Sequence, residues 1–267
     1  MKRVLSIQDL SCLGKCSLTV ALPVLSAMGC TCTPLPTAVL SSHTGFPDPH
    51  VRSLTEDMEP TFRHWSSVGA QFDIISVGYL ADPRQADAVE AILEAFGGNV
   101  VIDPVMGDHG KHYSGLSPEH TAAVKQLCRK ADVLLPNVTE ACLLTGIPYR
   151  AEADAAYYWE LLRSMRVLGA DAVILTGAEL TPGQTGFVGF AGEEHFSYQT
   201  PRIPRQCHGT GDLFAAVVTG ALAKGKPVED AATLAARFVE RVLCATAEAT
   251  PFGTEFESRL PWLWENA

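Results

Sequence analysis

The run Gly209-Thr210-Gly211-Asp212 passes directly into the apolar stretch Leu213-Phe214-Ala215-Ala216-Val217-Val218. Two glycines around a threonine, opening a helix, leave backbone N–H groups free to converge on an anion. Thr210 adds a hydroxyl donor, and Asp212 stands on the first turn, where the positive helix end favours a carboxylate. Taken alone, the run is equally an ordinary glycine loop with an aspartate capping a helix. Asp103-Pro104-Val105-Met106-Gly107-Asp108 puts a second carboxylate at the end of a strand. The segment His109-Gly110-Lys111-His112-Tyr113-Ser114-Gly115 that follows suits either a loop that moves over a site or a plain surface turn. His109 and His112 lack partners for a metal site. In Pro136-Asn137-Val138-Thr139-Glu140, Asn137 or Thr139 suits a helix cap, while Glu140 with Asp103 suits a magnesium ion that keeps much of its hydration. Thr176-Gly177 ends a further strand with a hydroxyl and a flexible backbone. Carboxylates for a metal, donors for an anion and a carboxylate at a helix start make an inventory for phosphoryl transfer.

Two common nucleotide patterns fail. Phe214 occupies the third glycine position of G-x-G-x-x-G, and Gly14-Lys15 is preceded by Asp9 and followed by Cys16 where a Walker A loop needs Gly and Ser or Thr.

The remaining chain must bring these stretches together. Strand-like runs are expected at residues 3–7, 31–40, 73–77, 99–103, 133–135 and 172–175. A hairpin is expected to pair 186–190 with 195–198 about the turn Ala191-Gly192-Glu193-Glu194. Helical patterns cover 18–28, 83–96, 119–129, 153–168, 213–223 and 228–247. This alternation predicts an α/β fold with a mostly parallel central sheet and helices on both faces. Each chemistry-bearing stretch then sits at a strand exit, so all gather on one edge of the sheet. No repeat, low-complexity tract or linker divides the chain, and residues 1–267 are expected to form one domain.

Composition bounds the function. Of 267 residues, 47% are hydrophobic and 19% charged, enough for a substantial core. A net charge of −10 argues against a nucleic-acid or anionic-membrane surface. No run approaches the ~18 apolar residues of a membrane span, and Gln8 and Asp9 cut short the signal-like start Met1-Lys2-Arg3-Val4-Leu5-Ser6-Ile7. The eight cysteines are read as reduced cytosolic thiols. Cys12/Cys16 and Cys30/Cys32 lack a matching pair at zinc spacing and are read as packing residues.

The segments Ser6-Ile7-Gln8, Ser41-Ser42-His43-Thr44-Gly45-Phe46, Gly78-Tyr79-Leu80, Asp103 to Asp108, Pro136 to Glu140 and Gly209 to Ala216 together resemble the ribokinase-like superfamily, over nearly the whole chain. Within it they resemble the pyridoxal/pyridoxamine/pyridoxine (vitamin B6) kinases, through Ser-x-His-Thr-Gly and Gly-Tyr-Leu. The resemblance implies a three-layer ribokinase-like sandwich and ATP-dependent phosphorylation of the vitamer's 5′-hydroxymethyl group. It makes Asp212 the base that orients the substrate hydroxyl, with Gly209, Thr210 and Gly211 as the anion hole. Thr44 and Tyr79 would contact the pyridine ring, and Asp103 and Glu140 would organise Mg2+. Asp108, Tyr113, Asn137, Thr176 and Gly177 would lie near ATP, together with Gly209 and Thr210. A homodimer and a monovalent cation such as K+ are also implied, while the shortened signal-like start and the reduced thiols give a cytoplasmic location as the expectation.

One position departs from the family. A serine commonly follows the Ile-Gln step, and here Asp9 stands there. Asp9 would either pair with a protonated ring nitrogen or substrate amine, or point away and cap a turn while Ser11 takes over. The first alternative biases the site towards pyridoxamine or pyridoxine over the aldehyde. At a helix start the Asp212 carboxyl is expected to have a lowered pKa, so that it chiefly aligns the nucleophile. Cys207 either meets the aldehyde of pyridoxal or simply packs beside a tight loop. Competing readings are a hydroxymethylpyrimidine kinase, whose members often carry Cys at the position of Asp212, and a non-catalytic B6-binding protein. A sugar kinase fits less well, because the first helix follows the first strand too closely for an extra covering sheet.

Overall fold

The structure is a computed structural model and describes residues 1–113, 115–205, 207–246 and 251–267. In chain order the elements are β1 (Arg3–Leu13), α1 (Leu18–Ala27), β2 (Thr31–Ser42), β3 (Val51–Ser53), α2 (Thr55–Ser67), β4 (Ile74–Val77), α3 (Gln85–Phe96) and β5 (Asn99–Ile102). There follow β6 (Gly107–Asp108), β7 (Lys111–His112), α4 (Pro118–Cys128), β8 (Val133–Leu134), α5 (Val138–Thr145) and α6 (Ala155–Ser164). The chain ends with β9 (Ala172–Ala178), β10 (Gln184–Ala191), β11 (Glu194–Pro201), α7 (Thr210–Ala223), α8 (Val228–Ala245) and α9 (Leu260–Asn266). Nine strands form one sheet in the order β11-β10-β9-β8-β5-β4-β1-β2-β3. From β2 to β9 every neighbouring pair is parallel, and only β3, β10 and β11 make antiparallel pairs, at the two edges.

Strand alternation builds two cores. Leu5, Ile7, Ile75, Val77, Val100, Ile102, Leu134, Val173 and Leu175 face α2 to α6. The alternate residues Val4, Ile74, Val101, Val133, Ala172 and Ile174 face α1, α7, α8 and α9. A period of two with both faces apolar is what a sheet buried between two helical layers requires. Pro34 and Pro36 are tolerated in β2 because β3 covers that edge only from Ala38 onwards.

Several elements depart from the sequence pattern. β1 continues six residues past Ile7, with a bulge between Gln8 and Leu10, and pairs with β2 as far as Leu13 opposite Ser42. Helix α7 begins at Thr210 and not at residue 213, so the glycine–threonine run is itself the first helical turn. Residues 153–168 divide into α6 and a short 3-10 turn, Met165–Leu168. The hairpin pairs as expected, in the register Phe190 opposite His195. The expected end of the last long helix at Ala247 lies outside the described residues, as does Ser114. Helices α2 and α9 have no counterpart among the expected elements. Cys30 and Cys32 do pack against the α1/α7 core, but Cys12 is exposed, so the packing reading fails for it.

Candidate active site

β4, β5, β8 and β9 deliver their candidate residues at or near their C-terminal ends, while Asp9 and Ser11 lie within the extension of β1. Tyr79 follows β4, Asp103 follows β5 and Asn137 follows β8, while Thr176 lies near the end of β9. Opposite them stands the start of α7. Gly209 caps it in the left-handed region (φ +86), and a Cβ there would lie 2.1 Å from the Lys15 carbonyl oxygen. Only glycine fits both the backbone and the space. The first-turn N–H groups of a helix have no intrahelical acceptor, and here no side chain caps them. Thr210 and Gly211 therefore present amides where an anion would sit.

Asp212 sits half-buried on that turn. Its carboxyl is pushed up to about 7, first by burial and then by the nearby charge of Asp9. The Ser17 N–H and hydroxyl and Asp212's own N–H pull it only partly back. This corrects the expectation of a lowered value: the helix end acts, but desolvation and a second carboxylate outweigh it.

Asp103 is driven upwards by burial and by Asp212, and Glu140 by burial and by Asp103. Asp212, Asp103 and Glu140 thus form a chain of acids that raise one another's proton affinity. Glu140 is 3% exposed, and its oxygens accept the Met106 N–H (3.1 Å) and the Asn137 N–H (2.9 Å). Among the described residues no three His, Cys, Asp or Glu side chains converge as a ready-made metal cage. Two buried acids that raise each other's proton affinity, with no cation beside them among the described ion pairs, suit a magnesium ion, which uses few protein ligands.

The remaining candidates divide. Asn137 closes a capping box with Glu140 at the start of α5, and its side-chain amide donates to the Gly107 carbonyl at 2.9 Å. The capping alternative is realised, and Thr176 lies beside it through a β-bridge. Gly177 and Asp108 are exposed. The short β6–β7 hairpin is held to α5 by Asn137, Glu140 and by Thr139, whose hydroxyl accepts the Gly110 N–H at 2.9 Å. Tyr113 leans into the acids: burial, then Glu140, Asp108, Asp103 and Asp212, raise its hydroxyl pKa. His109 and His112 stay exposed.

On the other flank, Asp9 is 4% exposed and turned inwards, accepting the Ser11 hydroxyl at 2.8 Å. Burial raises its pKa, and its charge, after burial, raises the Tyr79 hydroxyl. Thr44 is exposed, but its loop abuts the α7 loop: the His43 and His208 rings lie 4.4 Å apart, and a Cβ on Gly45 would meet His208 at 2.2 Å. His43 accepts the Gly45 N–H at Nδ1 (3.1 Å), and its Nε2 lies 3.0 Å from the Pro251 carbonyl. Burial raises the Cys207 thiol, the opposite of an activated nucleophile. Sequence reasoning passes over Ser17, buried at the start of α1, whose hydroxyl and N–H favour the ionised form of Asp212.

Residues 22–256, most of the chain and all of the site except its β1 and Ser17 portion, match the phosphomethylpyrimidine kinase family. The chain belongs to that family. A pyridoxine/pyridoxal/pyridoxamine kinase of Bordetella bronchiseptica is 32% identical over 262 residues, covering 92% of this chain and 90% of the relative. The crystal structure of pyridoxal kinase from Lactobacillus plantarum superposes with a TM-score of 0.91 at 31% identity, over 99% of this chain and 97% of that one. A Bacteroides thetaiotaomicron chain, provisionally described as a phosphomethylpyrimidine kinase and crystallised with pyridoxal, gives a TM-score of 0.93 at 33% identity, over 99% and 96%. The fold is therefore that of the ribokinase-like kinases, and this family member is a kinase.

Proposed function

We propose that the protein transfers the γ-phosphoryl group of ATP to the 5′-hydroxymethyl group of pyridoxal, pyridoxamine or pyridoxine. One observation carries the reading: Asp212, on a helix start with free amides, faces Asp103 and Glu140 across the C-terminal edge of a parallel sheet. In the reaction the substrate oxygen bonds to the γ-phosphorus, its proton passes to an Asp212 oxygen, and the bond to the departing ADP breaks. A carboxylate near 7 is suited to take that proton, since its affinity lies close to the working pH. The Thr210 and Gly211 amides hold the transferring oxygens in line. Asp103 and Glu140 would hold magnesium, which supplies charge neutralisation on the phosphates. Tyr113, Asn137, Thr176, Gly177 and Asp108 border the nucleotide side, and Asp9, Ser11, Thr44 and Tyr79 the ring side. The reading includes one domain over residues 1–267, a homodimer, K+ dependence and a cytoplasmic location. Among the described residues no helix is long and apolar enough to cross a membrane.

A coupled ADP-release assay with pyridoxal, pyridoxamine, pyridoxine and hydroxymethylpyrimidine in parallel tests the reading. Turnover is expected on at least one B6 vitamer and to exceed that on the pyrimidine. Preference for the pyrimidine transfers the assignment to that branch, and no product from any alcohol leaves a B6-binding protein. Asp9, buried beside Tyr79 on the ring side, is expected to set the preference among vitamers. Asp9→Ser should raise the kcat/KM of pyridoxal relative to pyridoxamine several-fold. An unchanged ratio removes Asp9 from specificity.

A further inference from the structure

Gln85 opens α3 with a fully buried side chain, a place where an amide is stable only when its polar atoms are paired. Its Oε1 accepts the Ala81 N–H at 2.8 Å, and its Nε2 donates to the Thr37 carbonyl at 2.8 Å and to the Thr55 hydroxyl at 3.0 Å. An N–H on one side and a carbonyl on the other leave a single way to orient the amide. Thr37, on β2, is equally buried. Its carbonyl also takes the Leu54 N–H at 2.9 Å, and its hydroxyl donates to the Tyr79 carbonyl at 2.8 Å.

These bonds set the course of the chain leaving β4. In the sheet β1 lies between β4 and β2, so a bond from β2 to the Tyr79 carbonyl draws the segment over β1. The crossing starts at Gly78, whose N–H donates to the Ile7 carbonyl at 2.9 Å, and where a Cβ would lie 2.7 Å from Gln8 Oε1. It ends at Ala81, on Gln85. Thr37 falls where the β1–β2 register shifts. Gln8 pairs with Pro36 and Leu10 with Val39, so Asp9 stands opposite Thr37 and Ala38 together. Two residues against one make a bulge, a device that re-aims side chains beside a site.

We propose that Thr37 and Gln85 are positioning residues, which hold the backbone at Tyr79 and Ala81 and so set where the Tyr79 ring stands against the pyridine ring. The inference rests on the kinase reading, in which Tyr79 borders the ring side. Neither residue has exposed surface, so neither touches the vitamer, and both act through Tyr79. The segment from Gly78 to Leu80 lies in no helix or strand. A binding residue on such a loop takes its place from the rigid elements that the loop is tied to, here β2 and α3.

Thr37→Val keeps the size and branching of the side chain and removes the hydroxyl alone. The KM for the vitamer is expected to rise about three- to ten-fold, the equivalent of one hydrogen bond, while the KM for ATP stays within about twofold. Thr37→Ser restores the donor and should return the vitamer KM to near wild type. Tyr79→Ala removes the ring on which the pair acts, and adding Thr37→Val to it should raise the vitamer KM by less than about twofold. A Thr37→Val enzyme that melts lower with an unchanged vitamer KM overturns the proposal, as does a Thr37→Val effect of the same size with and without the Tyr79 ring. Gln85→Met carries the same comparison should Thr37→Val not fold, since it frees the Ala81 N–H, and an unchanged vitamer KM there also overturns the proposal. Wild-type turnover is measured first: a chain inactive on every alcohol refutes the kinase reading and this inference with it, whereas an active wild type matched by Thr37→Val refutes the inference alone.

Discussion

Asp212→Asn is expected to lower kcat by about 10²- to 10⁴-fold, the range lost with a general base, while ATP affinity measured by calorimetry changes less than about threefold. The substitution keeps volume and shape. What disappears is proton affinity. The amide cannot take the proton as the alcohol oxygen attacks phosphorus, and one of its two positions now carries an NH2 group that faces the acids. Thr210 and Gly211 still present their amides, and Asp103 and Glu140 are untouched, so the nucleotide side should bind as before. The raised proton affinity of Asp212 strengthens the expectation: a carboxyl near 7 is a competent base, whereas one lowered by the helix end would mainly align the alcohol. A variant turning over within tenfold of wild type would remove Asp212 from proton transfer.

The parts of the site that follow local rules are legible in the amino-acid sequence. Asn137 and Glu140 stand three apart ahead of an apolar run, which is a capping box in sequence and in fact. Strand exits can be placed because Ile74–Val77 and Asn99–Ile102 are short, β-branched and bounded by turn residues. Local rules also mislead. Judged from its own helix, Asp212 should be an easily ionised acid, but Asp9 arrives from β1 and burial from the whole fold, and neither is visible in the neighbouring sequence. Ser17 escapes for a related reason, because a left-handed serine has no sequence signature. Helix α2 is hard to see because Pro60 lies inside it and it buries only Met58 and Phe62, so its apolar stripe is thin. The extension of β1 beyond Ile7 hides behind Gln8 and Asp9, polar residues that the fold nevertheless buries.

Lowering the pH from 8 to 6.5 is expected to stabilise the ligand-free protein, against the habit of acid destabilisation. Asp9, Asp103, Glu140 and Asp212 all have folded proton affinities above their ordinary values, because burial and one another's charge disfavour ionisation. From about 4, where an unfolded aspartate titrates, to about 7 for folded Asp212, the native chain therefore binds more protons than the unfolded one. Stability then falls as pH rises through that window, because the slope follows the difference in bound protons. The interval 6.5 to 8 lies above the lowered values of His43 and His120 and below the raised thiols, which keeps the acids dominant. For Asp212, half-buried and partly screened, the cost of ionisation at pH 8 is on the order of 1–3 kcal/mol, or several degrees of melting temperature. Asp212→Asn and Asp103→Asn should each melt higher than wild type at pH 8 and show a flatter dependence on pH. Magnesium with ATP should raise the wild-type melting temperature more at pH 8 than at 6.5, since a cation relieves repulsion only between ionised acids. A melting temperature that rises with pH across this interval, or Asn variants with the wild-type slope, would mean that the four acids are balanced by charges elsewhere and that the cleft is not poised for a cation.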